Sequence, residues 1–217
     1  MSDSALRQDV IDELEFEPSV DATGVGVAVH NGVVTLTGHV GSYAEKNAAE
    51  KAAQRVKGVR AIAEEIEVRV AGHAMTNDDE IAARALSIIA WDARIPGDSV
   101  KVKVQRGWVT LTGTLPWHFQ RAAAESAVRR LSGVAGVIND IAVKSPIRPK
   151  PQDVRDRIMS ALRRNAELEG GAIRVLVDDD KVTLEGKVSA WSERGVAERA
   201  AWSVPGVSRV EDRLSLG

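Results

Sequence analysis

One short motif occurs three times along this chain of 217 residues, as Val34-Thr35-Leu36-Thr37-Gly38, Val109-Thr110-Leu111-Thr112-Gly113 and Val182-Thr183-Leu184-Glu185-Gly186. A Gly-Val pair follows each copy twenty residues later, at Gly58-Val59, Gly133-Val134 and Gly206-Val207. The threonines stand 75 and then 73 residues apart. Self-similarity at that period means one small supersecondary unit used repeatedly, which rules out a single large continuous fold. The boundaries expected are 1–71, 78–144 and 152–217, each module near the lower size limit for an independent core.

Ungapped superposition of the copies allows each position to be read three times. Leu6, Val10 and Leu14 match Ile81, Ala85 and Ile89, and Val154, Ile158 and Leu162; the i, i+4, i+8 spacing draws an apolar stripe down a first helix. Alternation at Val25, Val27, Val29, at Val100, Val102, Val104 and at Ile173, Val175, Val177 marks a strand with one buried face. Asn31-Gly32, Arg106-Gly107 and Asp179-Asp180 then occupy a hairpin turn, Asn-Gly being the strongest short signal for one. The Val-Thr-Leu strand returns, and its closing glycine is expected in a conformation closed to residues with a Cβ, or at a close approach of helix and strand.

A second helix follows with a small inner face, Ala49, Ala52, Val56, matched by Ala124, Ala127, Leu131 and by Ala197, Ala200, Val204. Gly58, Gly133 and Gly206 read as its left-handed C-terminal caps. A last alternating strand runs through Ile62, Ile66, Val68 and its counterparts. The expected fold is α+β: three tandem α-β-β-α-β modules, each a three-stranded mixed sheet with two helices on one face.

Two connections join the modules. Residues 71–77 form the first, and Ser145-Pro146-Ile147-Arg148-Pro149-Lys150-Pro151 forms the second, whose three prolines predict a stiff extended spacer that holds modules 2 and 3 apart. No apolar run reaches the roughly 18 residues needed to span a bilayer. The start, Met1-Ser2-Asp3-Ser4, shows no basic n-region and no apolar h-region, so a cytoplasmic protein is expected. There is no cysteine, which excludes disulfides and thiolate chemistry. A net charge of −2 is too balanced to imply nucleic acid; residues 1–75 are nonetheless acidic, with 7 Lys and Arg against 12 Asp and Glu.

Little in the chain looks reactive. His30, His39, His73 and His118 share no column across the copies and read as surface histidines. No nucleophile elbow, phosphate loop or dinucleotide fingerprint occurs. Asp178-Asp179-Asp180 lacks the glycine and the distal glutamate of a calcium loop and sits where turns favour acids. Gly133-Val134-Ala135-Gly136 has the letters of a KH loop, but its second glycine is absent from the other copies. Lys46/Glu50, Arg121/Glu125 and Arg194/Glu198 stand at i, i+4 and are expected as solvated ion pairs on the second helix. No enzyme, cofactor or metal site is expected.

The five tryptophans are conspicuous in a chain with only 4% aromatic residues. Trp202 shares its column with Gln54 and Arg129, Trp191 with Tyr43 and His118, and Trp117 with Ser42 and Ala190. Such amphipathic aromatics suit module contacts, protein interfaces or lipid headgroups. Arg155, Arg157, Arg163 and Arg164, after Arg148 and Lys150, make the first helix of module 3 basic, though Asp153, Asp156, Glu167 and Glu169 dilute the patch.

With this element order, the Gly-x-Val-Thr-Leu-x-Gly strand, the alanine-rich second helix and the Gly-Val before the last strand, each module resembles a BON domain. Module 3 departs at Asp180-Lys181, where the others read Gly32-Val33 and Gly107-Trp108. The resemblance implies a bacterial, non-enzymatic module of osmotic and envelope stress, credited with binding anionic phospholipid and found in periplasmic proteins, so the periplasm stands as the alternative compartment. The leading expectation is contact with anionic phospholipid through Arg157, Arg163, Arg164, Trp191 and Trp202. The alternatives are a scaffold that self-associates as a homo-oligomer or holds a protein partner, and a cation-responsive stress protein.

Overall fold

The computed structural model describes residues 2–69, 77–165 and 173–216. The first connection through residue 76, His73, Glu167 and Glu169 lie outside the described residues. Module 1 comprises α1 (Asp3–Phe16), β1 (Val25–His30), β2 (Val33–Val40), α2 (Tyr43–Arg55) and β3 (Ala61–Val68). Module 2 repeats the order with α3 (Asp78–Trp91), β4 (Val100–Gln105), β5 (Trp108–Leu115), α4 (His118–Arg129) and β6 (Gly136–Val143). Module 3 has α5 (Pro151–Arg164), β7 (Arg174–Asp178), β8 (Lys181–Val188), α6 (Trp191–Trp202) and β9 (Arg209–Leu216).

Each module owns a three-stranded sheet in sequence order, with the Val-Thr-Leu strand in the middle. β1 and β2 pair antiparallel, Val27 opposite Leu36, whereas β2 and β3 pair parallel, Leu36 opposite Glu64. The pairings of β7, β8 and β9 follow the same pattern. A two-residue turn serves the antiparallel pair, and the parallel pair needs the crossover that the second helix provides. Among the described residues the fold is α+β, three mixed sheets with six α-helices, as the repeat predicts.

Period-two burial decides which face of the sheet the helices cover. Val34 and Leu36 are fully buried while Thr37 between them and Gly38 is exposed. In module 1, Leu6, Val10 and Leu14 of α1 and Ala49, Ala52 and Ala53 of α2 join Val27, Val34, Leu36 and Ile66 in one core. Module 3 builds the same core from Val154, Ile158, Leu162, Ala197 and Ala201 over Val175, Val182, Leu184 and Leu214. α1 lies against β1 and α2 against β3, and the two helices touch each other, so both sit on one face. Alanines on the second helix bring its backbone close to the sheet.

Two details differ from expectation. The second helix is rotated slightly: Ala53, Val128 and Ala201 are fully buried, whereas Ala127 and Ala200 are only half-buried. At 3.6 residues per turn the i+4 neighbours of Ala49, Ala124 and Ala197 fall beneath the helix better than the i+3 neighbours. The glycines are not helix caps either. The helices end at Arg55, Arg129 and Trp202, and Gly58, Gly133 and Gly206 lie beyond, at φ 98°, 87° and 96°. Each is the third residue of a β-turn closed by Val59→Val56, Val134→Leu131 and Val207→Val204 backbone hydrogen bonds of 3.3 Å. Pro205-Gly206 is the residue pair that a type II turn favours.

The contacts divide the chain into two compact units. One holds Met1–Ile88, Val102–Thr110 and Ser126–Ile138; the other holds Ile89–Lys101, Leu111–Glu125 and Asn139–Gly217. The first therefore contains module 1 with part of module 2, and the second contains the rest of module 2 with module 3.

Candidate functional site

Among the described residues no group of three or more His, Asp or Glu is placed to hold a metal. His30 and His39 are exposed, and the His30 ring meets the Asn31 amide at 3.0 Å. In the Asp179-Asp180 turn the Ser208 hydroxyl donates to the Asp180 carboxylate, and the Ser208 amide to its carbonyl at 2.9 Å. The turn is thus tied to the start of β9, as Arg60 N–H to Gly32 carbonyl ties module 1.

The cations of the second helices do not form the expected i, i+4 pairs in modules 1 and 3; they reach across to the last strand. Lys46 Nζ lies 2.8 Å from Glu64 and 2.7 Å from the Ile66 carbonyl. Arg194 lies 2.7 Å from Asp212, and Arg121 donates to the Asn139 carbonyl at 2.9 Å. These cations point along the half-buried edge of the helix, where a carboxylate or carbonyl is nearer than the next helical turn. Glu64, Asn139 and Asp212 share a column, and each also accepts the amide two residues on, from Ile66, Ile141 and Leu214. No sequence motif singles that column out; only its recurrence as an oxygen-bearing side chain hints at it. Burial, and then the charge of Asp212, raises Glu198 above the usual carboxylate range.

Two of the tryptophan-bearing columns meet in contacts between modules. Trp202, the last residue of α6, stacks on His118, the first of α4, with ring centroids 4.1 Å apart and planes 14° from parallel. Burial, reinforced by the nearby Arg121 charge and opposed by Glu125, lowers the His118 pKa below its ordinary value; a neutral imidazole suits the stack. Within the other unit, Arg129 at the end of α4 sits over the Tyr43 ring at the start of α2, 6.0 Å from its centroid. Its guanidinium also donates to Asn47 at 2.9 Å. Trp191, first in α6, is half-buried and carries Arg194 over its ring at 5.2 Å.

The proline connection is not a free spacer that holds modules 2 and 3 apart, because His118 and Trp202 touch. It docks on module 3: a Cβ on Gly206 would stand 2.1 Å from Pro149 Cδ and 3.2 Å from the Ile147 carbonyl oxygen. The expected arginines are all exposed on α5. Arg163 and Arg164 close its last turn, where the helix dipole favours cations, and Arg164 also bonds Ser160.

One surface column escaped the sequence reading. Phe16 and Trp91 each end the first helix of their module and are 80% and 86% exposed; the matching residue of module 3 is Arg164. Superposing the helix ends would have revealed it. Among the described residues no helix is long and apolar enough to cross a membrane.

Comparison with known proteins bears on this three-module architecture. Over 152 residues the chain is 34% identical to osmotically-inducible protein Y of Escherichia coli strain K12, covering 66% of this chain and 74% of that protein. Solved structures of CdsD, a structural protein of the type III secretion system of Chlamydia trachomatis, align over 98% of this chain and 92% of theirs at 14% identity and a TM-score of 0.25. The CdsD C-terminal domain aligns over both full lengths at 13% identity and a TM-score of 0.26; likenesses this faint carry no argument. The BON domain matches three times, at residues 2–70, 77–145 and 152–217. With one α-β-β-α-β unit in each of those segments, the chain belongs to the BON domain family.

Proposed function

We propose that this chain is a non-catalytic bacterial stress protein that rests on anionic phospholipid surfaces through the basic first helix of its third module, α5. The observation that carries the reading is the exposure of Arg157, Arg163 and Arg164 on α5, the last of them in the helix-end column that holds exposed Phe16 and Trp91 in the other modules. Aromatic rings suit the headgroup level of a bilayer, and a guanidinium matches the geometry of a phosphate. The name of the E. coli relative links that protein to osmotic stress, and family kinship extends the same setting to this chain.

Flotation of the full chain with phosphatidylcholine vesicles, with and without phosphatidylglycerol, tests the reading. Binding is expected only with the anionic lipid and is expected to weaken as salt is raised. Replacing Arg157, Arg163 and Arg164 together by Gln should weaken it roughly a hundredfold, at about 1 kcal/mol per basic residue near the surface. Equal absence of binding to both vesicle types would remove the proposal.

A second reading, a scaffold that works by protein contact, is favoured by the fate of Trp202. Its ring is engaged by His118, so one of the two tryptophans expected at lipid serves packing between modules.

A further inference from the structure

The uncovered face of the sheet in module 2 carries a feature that neither neighbour shares. Trp108 opens β5, and a Cβ built on Gly136 would stand 2.5, 2.6 and 2.8 Å from three consecutive atoms of its six-membered ring. Three neighbouring ring atoms at nearly one distance place the glycine beneath the face of the ring, not at its edge. The indole is thus laid flat on the start of β6, and the residue is still 49% exposed. Among the described residues no aromatic ring or cation stacks on it. Beside it a cleft of about 430 Å³ is lined by Lys103, Gln105, Arg106, Trp108, Thr110 and Ile138, a volume within the range of small-molecule sites.

The fold does not ask for these residues. In module 3 the place of Trp108 is taken by Lys181, which pairs with Glu211 in the place of Ile138; module 1 has Val33 and Ala63 there, and Ala28 where module 2 has Lys103. Among the described residues neither the Lys103 ammonium nor the Arg106 guanidinium has an ion-pair partner. Asp78 is engaged by the backbone amides of Arg106 and Gly107, which holds the turn and leaves the arginine side chain uncommitted. Arg106 also adopts φ 52°, where the other two hairpins place Asn31 and Asp179 at 51° and 50°. Asn and Asp accept that conformation at least cost, so an arginine there is not favoured by folding, and strained positions of this kind gather at binding sites. We propose that the cleft binds a short acidic saccharide, one sugar ring stacked on the open face of Trp108 and its carboxylate held by Lys103 and Arg106. The electron-rich face of an indole attracts the polarised C–H groups of a sugar ring, and the planar guanidinium fork matches a carboxylate. Gln105 and Thr110 each donate and accept hydrogen bonds, as sugar hydroxyls require. Nucleic-acid strands also stack on aromatics, but they need a positive groove that follows their backbone; two cations in a chain of net charge −2 do not supply one.

This cleft belongs to a different module from the α5 surface, and the inference stands apart from the lipid reading, so the test is made without vesicles. In calorimetric titrations of the full chain, trigalacturonic acid should bind at least about tenfold more tightly than neutral maltotriose, and its affinity should fall as salt is raised. Trp108→Val and Arg106→Asn borrow the residues that module 1 uses at the same places, so both should keep the melting temperature. Each should weaken binding of the acidic trisaccharide about tenfold or more. Gly136→Ala keeps the indole but sets a Cβ beneath it; Ala61 occupies that place in module 1, so the strand accepts the residue while the tilted ring should bind less tightly. Three results would overturn the proposal: no binding of trigalacturonic acid at about 10 mM, binding untouched by Trp108→Val, or tighter binding of uridine monophosphate than of the trisaccharide. None of them would alter the outcome expected of the vesicle flotation.

Discussion

Gly38 has φ 107°, and a Cβ built there would stand 2.1 Å from the carbonyl oxygen of Gly24; Gly113 at φ 142° meets Ser99 in the same way. Positive φ and a backbone atom in the way are separate obstacles, and here they coincide on the central strand. The close approach expected at this glycine comes from the backbone entering the first strand, where Ala22–Gly24 form a short 3-10 turn, and not from an α-helix. Gly38→Val is therefore expected to destabilise module 1 by about 3 kcal/mol or more. Gly58→Ala, in an exposed turn at φ 98°, should cost about 1–2 kcal/mol. Urea unfolding of the two variants checks the ordering, and a milder effect at Gly38 would contradict it. A second residue-scale device is the carboxylate that opens the first helix. Asp3 accepts the amides of Asn31 and Gly32 at 2.8 and 3.2 Å, and Asp78 those of Arg106 and Gly107 at 2.7 and 2.9 Å. Module 3 has Pro151 in that position and Asp179-Asp180 in the turn, where a carboxylate would meet like charge. Among the described residues Asp179 alone of that pair takes positive φ, at 50°, so the departure noticed in the motif is a real change in turn geometry.

At the scale of elements, helices and strands were legible because burial writes its period into the chain. Leu6, Val10 and Leu14 repeat at the helical spacing and are all buried, as are Val34 and Leu36 at the strand spacing. Strand order was not legible, since a central and an edge strand with one covered face alternate alike; the hydrogen bonds decide it. Nor were the struts, because an i, i+4 charge pair looks the same whether the cation turns along the helix or towards the sheet. Arg194 and Asp212 are partly exposed, with side-chain exposures of 27% and 14%, so their coupling is modest. A double-mutant cycle of Arg194→Ala and Asp212→Ala, read by thermal unfolding, is expected to give about 0.5–1 kcal/mol. The same cycle on Arg194 and Glu198 should give less, and the reverse order would restore the simple helix-face pair.

For the whole molecule, the informative residues are those with no counterpart in a chemical motif, because they make the contacts between modules. Trp202 illustrates the limit of reading from sequence: it shares its column with the polar residues Gln54 and Arg129, yet Arg129 and Trp202 are planar groups engaged by the preceding module. Planarity, not polarity, was the shared property. The His118–Trp202 stack makes the attachment of module 3 sensitive to pH. Burial holds the His118 pKa below the ordinary value of 6.5, so the unfolded chain takes up the proton first. Its contribution is therefore present in full above pH 6.5 and is lost as pH falls through the lowered native value. Burial and the Arg121 charge both disfavour the protonated ring, and together they outweigh Glu125, which favours it. Thermal unfolding followed by tryptophan fluorescence between pH 7.5 and pH 5 should show module 3 loosening in that window. In His118→Phe, which keeps an aromatic ring for the stack but cannot be protonated, this part of the pH dependence should vanish. An unchanged slope in the variant would place the titration elsewhere and leave the stack a passive contact.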